Sequence, residues 1–497
     1  MNDTGMPLFA GPALRRAALS CRRQADHVVR QMVAAYVCRG KTWGMTKTVA
    51  DPVPGEPLST GRAVRAAVPR SSLGEFRPAA DRDPIAILER QAETRLPDLV
   101  PIRYARMAAG QFPFLRGAPA IMAADLATIP HTGLTVQLCG DAHLSNFGIF
   151  ASAERSLVFD LNDFDETLSG PFEWDVKRLV ASVAVAAREK GYTDEEATAS
   201  ARTAATAYRE CMRRLAGMDS LDVWYEQVDE DTVANMVSRP KFREGVDRTF
   251  EAARKRTSLG ALRKLTYTDA EGALRIQHQP PLLTPVDYVD AQTVEEVFLA
   301  YRRSLPEERR VLADRYRIVD YAHKVVGVGS VGTRCYVILT VDRDTGGPLF
   351  LQMKEAEKSV LEPYLAPSRF QHQGHRVVHG QRLLQTSSDI FLGWVSGPYD
   401  RNYYFRQLRD MKGAADITQL SKAALRDYAG ICGHTLARAH ARSGDRIAIA
   451  DYLGGGEAFD KAMTQFALTY ADQTAADHRE LLRAIDSGRV RAAANPY

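Results

Sequence analysis

Leu138–Asp165 reads LCGDAHLSNFGIFASAERSLVFDLNDFD. Asp141 stands five residues before Asn146, and Asp160 follows the run Ser156–Phe159, which reads as a strand, as does Thr135–Leu138. This order suits an enzyme that handles nucleotide phosphates. One carboxylate orients or deprotonates an attacking hydroxyl, and further oxygens hold Mg²⁺ against phosphate. Asp, Asn and Gly also make turns, so DxxxxN alone arises by chance. Two strands that bring acids to one point are nevertheless a poor arrangement for structure alone, because clustered anions repel unless a cation joins them. The segment is therefore read with Asp141 as the catalytic carboxylate and Asn146 and Asp160 on the metal. Asp163 and Asp165 are close enough to take over from Asp160, Asp163 first.

A phosphate-binding flap and lysine are found far downstream, in YRIVDYAHKVVGVGSVGTRCYVILTVDRDTGGPLFLQMKEA, Tyr316–Ala356. Gly327, Gly329, Ser330 and Gly332 lie between two strand-like runs, and a third run carries Lys354. The competing reading of GxGxxG is a dinucleotide fingerprint, which requires a helix directly after the glycines. Cys335–Thr340 instead reads as a strand closed by the turn-forming Asp342–Gly347. Strand, glycine turn, strand suits a flap in which backbone N–H groups approach phosphate, with Lys354 reaching the α- and β-phosphates. The alternative for Lys354 is a solvated lysine on an edge strand. Its carboxylate partner is not evident, and Glu362 is the weak choice.

The spacing of the first segment resembles the protein kinase-like superfamily, in particular the aminoglycoside phosphotransferase branch, with Cys139 where that branch has the His of its HGD motif. Gly170-Pro171 through Asp175 looks like its GDPxxDL stretch, which implies that Asp175 props the catalytic loop. Several longer motifs are similar to the bacterial family of unknown function DUF2252: VPRSS (68–72), LVPIRYARM (99–107), GDAHLSNFG, FDLNDFDE, EWDVKRL, VGVGSVGTRC, SDIFLGW (388–394) and YADQTAADH (470–478). The resemblance implies an α+β, two-lobed, protein kinase-like fold, with a mostly helical large lobe and a small antiparallel-sheet lobe. It is circularly permuted, because Asp141 comes almost two hundred residues before Gly327. Permutation is tolerated where chain termini lie close on the surface. The expected divisions are a flexible basic extension at 1–75, large-lobe segments at 76–300 and 416–497, and the small nucleotide-binding lobe at 301–415. The cofactors implied are ATP and Mg²⁺, with an unknown hydroxyl-bearing acceptor as partner. Rival readings are a nucleotide-binding regulator without chemistry, an AMP transferase using the same pocket, and, ranked lowest, a hydrolase with metal on His143 and the aspartates.

With 497 residues, 45% of them hydrophobic, the chain can bury a large core. A net charge of +4 gives no support to a nucleic-acid footprint. Residues 1–75 hold eleven Lys or Arg against five Asp or Glu but no continuous apolar core of a signal sequence. Six cysteines are scattered without CxxC pairing, and no apolar run reaches transmembrane length, so a reduced cytoplasmic protein is expected. Cys139 beside Asp141 reads as a buried strand cysteine in preference to a nucleophile. Thr193 with Glu196 signals a capping box ahead of a helix through Ala216, and 420–443 reads as one long helix. Val228–Val286 has weak periodicity, with a loop at Gln277–Pro285. Arg103, Arg106 and Arg116 are read either as binders of substrate phosphate or carboxylate, or as members of buried ion pairs.

Overall fold

A computed structural model describes residues 61–237, 240–256, 258–286, 289–408 and 411–494. Its early helices include α1 (Pro84–Ala92), α2 (Val100–Ala108) and α3 (Gln111–Gly117). Asp83 starts α1 by accepting from the Ala86 amide, with Pro84 at the first helical position. The acidic segment then folds as two antiparallel pairs, one nested in the other: β1 (Thr135–Leu138) with β4 (Leu168–Pro171), and β2 (Phe147–Ala151) with β3 (Leu157–Leu161). Helices α4 (Phe172–Glu189) and α5 (Asp194–Ala216) follow, the second opened by the Thr193–Glu196 capping box.

A hairpin of β5 (Thr266–Thr268) and β6 (Leu274–Ile276) leads into a six-stranded antiparallel sheet. Its strands are β7 (Leu283–Thr284), then, after helix α6 (Ala291–Arg302), β8 (Tyr316–Lys324), β9 (Cys335–Asp342) and β10 (Pro348–Glu355). Helix α7 (Gln373–Leu384) separates these from β11 (Gly393–Ser396) and β12 (Asn402–Gln407). The spatial order is β11-β12-β10-β9-β8-β7, so β10 is central and β9 is buried along nearly its whole length. The chain closes with α8 (Lys422–Ala441) and α9 (Ala458–Asp486). The fold is thus mixed α+β. Among the described residues no helix is long and apolar enough to cross a membrane.

Three expectations need correction. Residues 1–60 lie outside the described residues, but 61–75 is not a flexible extension: Gly61–Ala67 is helical, Arg70–Gly74 forms a 3-10 turn, and Leu73 is fully buried. Gly61 is packed so closely that a Cβ there would lie 2.2 Å from the Ala448 carbonyl oxygen. The sheet-bearing part also starts before residue 301, because α6 belongs to it. Tyr301 stacks on Phe405 with ring centroids 4.0 Å apart and donates to the Phe391 carbonyl at 2.6 Å. Finally, the weakly patterned stretch after Val228 holds helices Glu230–Met236, Pro240–Arg254 and Ser258–Leu265, and the expected loop at 277–285 contains β7.

The large core gathers around α4, α5, α8 and α9. Small residues let α5 and α8 approach closely: a Cβ on Gly433 would lie 2.2 Å from the Ala204 carbonyl oxygen. Helix α4 is buried from Phe172 through Ala187, and that stretch includes Lys177. The Lys177 ammonium sits 4.8 Å from the Phe466 ring centroid, one turn after Glu173. Burial lowers its pKa to about 8, with Glu173 opposing the shift. A lysine whose folded pKa lies below its unfolded value destabilises the fold at every pH below the folded pKa. The penalty fades as pH rises from about 8 toward the unfolded value of 10.5. Its ceiling is about 3 kcal/mol. Lys177→Met should therefore raise stability by about 1–3 kcal/mol at pH 7, with the gain shrinking by pH 10. Chemical denaturation at both pH values checks this, and a variant equally destabilised at both would refute the account.

Candidate functional site

The loop after β1 is shaped by its backbone. The Cys139 and Gly140 amides donate to the two oxygens of Asp175, at 2.8 and 3.1 Å. Asp175 stands in the first turn of α4, where the helix dipole favours an anion, and His440 Nε2 approaches it at 3.2 Å. Gly140 has φ +85°, and a Cβ there would lie 2.2 Å from the Glu166 carbonyl oxygen, so both conformation and space require glycine. Asp141 follows, its side chain one-fifth exposed. It accepts from Arg178 Nε at 2.8 Å, and Arg178 is fixed in turn by donating to the Leu115 carbonyl at 2.6 Å. Burial raises the Asp141 pKa, with Arg178 opposing and Asp163 reinforcing the shift, which makes it a better base than an ordinary aspartate. His143 Nε2 is 3.6 Å from Asp141, but burial holds this imidazole neutral, so the two form no ion pair. Cys139 is fully buried, and burial pushes its thiol well up, which removes it as a nucleophile.

Asn146 ties two loops together. Its Nδ2 donates to the Asp141 and Asp163 carbonyls, each at 3.0 Å, and its Oδ1 accepts from the Asp163 amide at 2.6 Å. Asp163 projects into the cavity beyond, 43% exposed. Asp160 does not. It is fully buried, paired with Arg438 at 2.5 Å, and accepts from the Thr386 amide and hydroxyl. The expected metal role of Asp160 is thereby corrected: on a strand buried on both faces its side chain points into the core, and the residues after the strand reach the cavity. Among the described residues no group of three or more His, Cys, Asp or Glu is arranged to hold a metal ion.

Lys354 comes from the central strand β10 and is 2% exposed, so it is not a solvated edge lysine. Its ammonium contacts Asp165 and lies 3.5 Å from Asp163. Burial alone would lower its pKa, but Asp163 and Asp165 outweigh burial and hold it well above the usual value. Reciprocally, Lys354 and Arg406 hold the Asp163 carboxyl below its usual range against the effect of burial. Tyr404 donates to Asp165 at 2.8 Å. The carboxylate partner of Lys354 is thus Asp165. Among the described residues Glu362 forms no ion pair with it, and the adjacent Glu355 is paired with Arg334 and Arg401. Helix α7 contributes Arg376, which donates to the carbonyls of Asp165, Thr167 and Glu357. Arg178, Arg376, Tyr404 and Arg406 were not singled out from sequence; for the three arginines the only signal was a basic residue inside an otherwise apolar or strand-like run.

The loop between β8 and β9 carries Gly327, Gly329, Ser330 and Gly332, with φ of +65° at Gly327 and +93° at Gly332. A strand follows, which rules out the dinucleotide fingerprint. The loop is held from outside: Arg106 donates to the Gly327 carbonyl at 2.6 Å, Arg95 to that of Val331, and the Leu96 amide to that of Gly332 at 2.8 Å. Ser330 faces Asp165 at 3.4 Å. Beneath the loop lies a cavity of about 350 Å³ bounded by Arg116, Asp141, Asp163, Gly329, Arg406 and Gly413. A smaller chamber of about 90 Å³ shares Asp141, Asp163, Gly329 and Ser330 with it and runs on to Arg95 and Arg103. A more apolar cavity of about 590 Å³ adjoins at Ile149, Arg256 and Ala414. The structure therefore brings Asp141, Asn146, Asp163, the glycine loop and Lys354 to one place and leaves Asp160 out.

Removing one partner of a buried ion pair costs about 3–5 kcal/mol. Asp160→Asn should lower stability by that order and leave the effect of added Mg²⁺ on the melt the same as in the wild-type protein. A melt paired with Mg²⁺ titration checks this, and loss of the Mg²⁺ response at unchanged stability would restore Asp160 as a ligand.

Comparison with known proteins returned no match among curated proteins and none among solved structures. Residues 95–484 match the model of a family described as an uncharacterized protein conserved in bacteria, DUF2252. That span includes the acidic loops, the glycine loop, Lys354 and the helices behind them, and the chain belongs to the DUF2252 family.

Proposed function

We propose that this protein is an ATP- and Mg²⁺-dependent phosphotransferase with a two-lobed, kinase-like fold whose parts are permuted along the chain. The observation that carries the reading is the meeting of Lys354 with Asp163 and Asp165 beside Asp141, under a glycine loop with open backbone. Such a set supplies what phosphoryl transfer needs, which is positioning and charge stabilisation more than covalent chemistry. Asp141 takes the proton of the acceptor hydroxyl, its basicity raised by burial and its orientation fixed by Arg178. Lys354 and Arg406 offer cations to the phosphates, and the loop amides near Gly329 and Ser330 close over them.

Asp163, with Asp165 beside it, fits a Mg²⁺ ion: both are oxygen donors on the smaller chamber, Asp163 on the larger cavity too, and this ion keeps several waters and takes only one or two carboxylates from the protein. When bound, the metal neutralises developing phosphate charge. Asn146 braces the two loops that present these acids.

Mg²⁺-ATP should raise the melting temperature of the wild-type protein saturably. Lys354→Ala should weaken that response about tenfold or more, whereas Asp141→Ala should keep it and lower transfer from labelled ATP by at least about 100-fold. Full turnover by Asp141→Ala would contradict the mechanism. The mass added to the acceptor separates phosphoryl from AMP transfer, and tight ATP binding without product across acceptors would mark a silent regulator.

A further inference from the structure

The smaller chamber holds two guanidinium groups that the proposed chemistry does not use. Arg103 is fully buried on α2. Only its Nη2 is bonded, to Gln91 Oε1 and the Gly117 carbonyl, both at 2.9 Å. Its Nε and Nη1 are buried without hydrogen-bond partners. Arg95, 9% exposed, donates from Nη1 to the Val331 carbonyl, and its Nε has no partner. Neither has a carboxylate within 4 Å among the described residues, and each lines the chamber. Burial, then the neighbouring Arg95 cation, disfavour charge on Arg103.

A guanidinium left unpaired in the interior costs several kcal/mol, and two side by side cost more. Bracing the glycine loop accounts for one nitrogen of Arg95, and bracing α3 accounts for one of Arg103. Three guanidinium nitrogens without partners remain, on two side chains that line one chamber. Planar forks of this kind recognise oxyanions by paired hydrogen bonds. Of the chamber's acids, Glu355 pairs with Arg334 and Arg401, Asp165 contacts Lys354, and Glu166 accepts from the Val360 amide at 2.7 Å; Glu357, Glu166 and Asp165 favour charge on Arg95 against burial without forming an ion pair with it. Glu357 and Lys358 complete the charged lining.

The two cavities meet at Asp141, Asp163, Gly329 and Ser330, and the larger one extends the other way to Arg406 and Gly413. A nucleotide in the larger cavity thus presents its terminal phosphate at the junction, and the second substrate enters from the chamber. We propose that the acceptor is a small hydroxyl compound bearing an oxyanion, either a carboxylate or a phosphate monoester, and that Arg95 and Arg103 bind that oxyanion. This rests on the phosphotransferase reading. In the reaction the acceptor oxygen bonds to the terminal phosphorus of ATP, the bond from that phosphorus to the bridging oxygen breaks, ADP leaves with the bond's electron pair, and the hydroxyl proton passes to Asp141.

The test uses the full chain and thermal melting with inorganic phosphate, with malonate, and with chloride at equal ionic strength, alongside Mg²⁺-ATP. Phosphate or malonate, but not chloride, should raise the melting temperature saturably. Arg95→Gln and Arg103→Gln should weaken this response at least tenfold. No saturable response to either oxyanion, or a response unchanged in both arginine variants, overturns the proposal. If those variants do not fold, wild-type crystals soaked in selenate decide: an anomalous peak within hydrogen-bond distance of both arginines supports the site, and its absence there overturns it. A response to Mg²⁺-ATP without one to oxyanions defeats the acceptor class alone. An oxyanion response without one to Mg²⁺-ATP defeats the acceptor assignment together with the transferase reading. With labelled ATP, hydroxycarboxylates and sugar phosphates are offered beside neutral polyols. Product from a charged class supports the proposal and tells which oxyanion is used, and product from neutral polyols alone overturns it.

Discussion

The ammonium of Lys354 against Asp163 and Asp165 is the contact on which the rest of the arrangement depends. It joins the central strand of the sheet to the loop after β3, across about 190 residues of sequence. Lys354 and Asp163 are each held in the charged form by the other against burial. An isolated cation at 2% exposure would be unfavourable by several kcal/mol. The contact therefore fixes where the sheet sits relative to the acidic loops, and so where the glycine loop lies above Asp141.

Around that contact, buried polar groups act mainly as braces on backbone. Asp175 holds the Cys139 and Gly140 amides, Asn146 links the Asp141 and Asp163 loops, and Arg376 collects three carbonyls from two segments. Each satisfies donors or acceptors that the short strands leave open, which is the condition for placing irregular loops in a protein interior. Asp160 and Arg438 make a different use of charge, pinning β3 to α8 deep in the core. Such a pair contributes little net stability but penalises any arrangement that separates its members. The loops can thus hold acids at a cavity without the acids being free to scatter.

What could be read from the sequence was local. The strand Thr135–Leu138, the three strands around the glycine loop, the Thr193–Glu196 capping box and the helix behind Ser421 all carry short-range signals: alternation, turn residues, cap chemistry. What escaped was pairing at a distance. Asp160 looked like Asp163 because both follow one strand by few residues, and only Arg438, 278 positions away, tells them apart. Residues 61–75 were read as part of a flexible basic extension, yet Arg65 and Arg70 donate to the carbonyls of Tyr452 and Leu453, at the end of a helix where cations are favoured. The helix Pro240–Arg254 is polar on average yet markedly amphipathic, so its apolar stripe was present in the sequence and was passed over among its charged residues.

The most direct test of the central claim is a crystal structure of the protein with Mg²⁺ and a non-hydrolysable ATP analogue. The account requires the triphosphate beneath Gly329 and Ser330, Lys354 Nζ on its oxygens, and the terminal phosphorus facing Asp141 from the junction of the two cavities. An analogue bound elsewhere, or Lys354 and Asp141 opening onto separate surfaces, would contradict it.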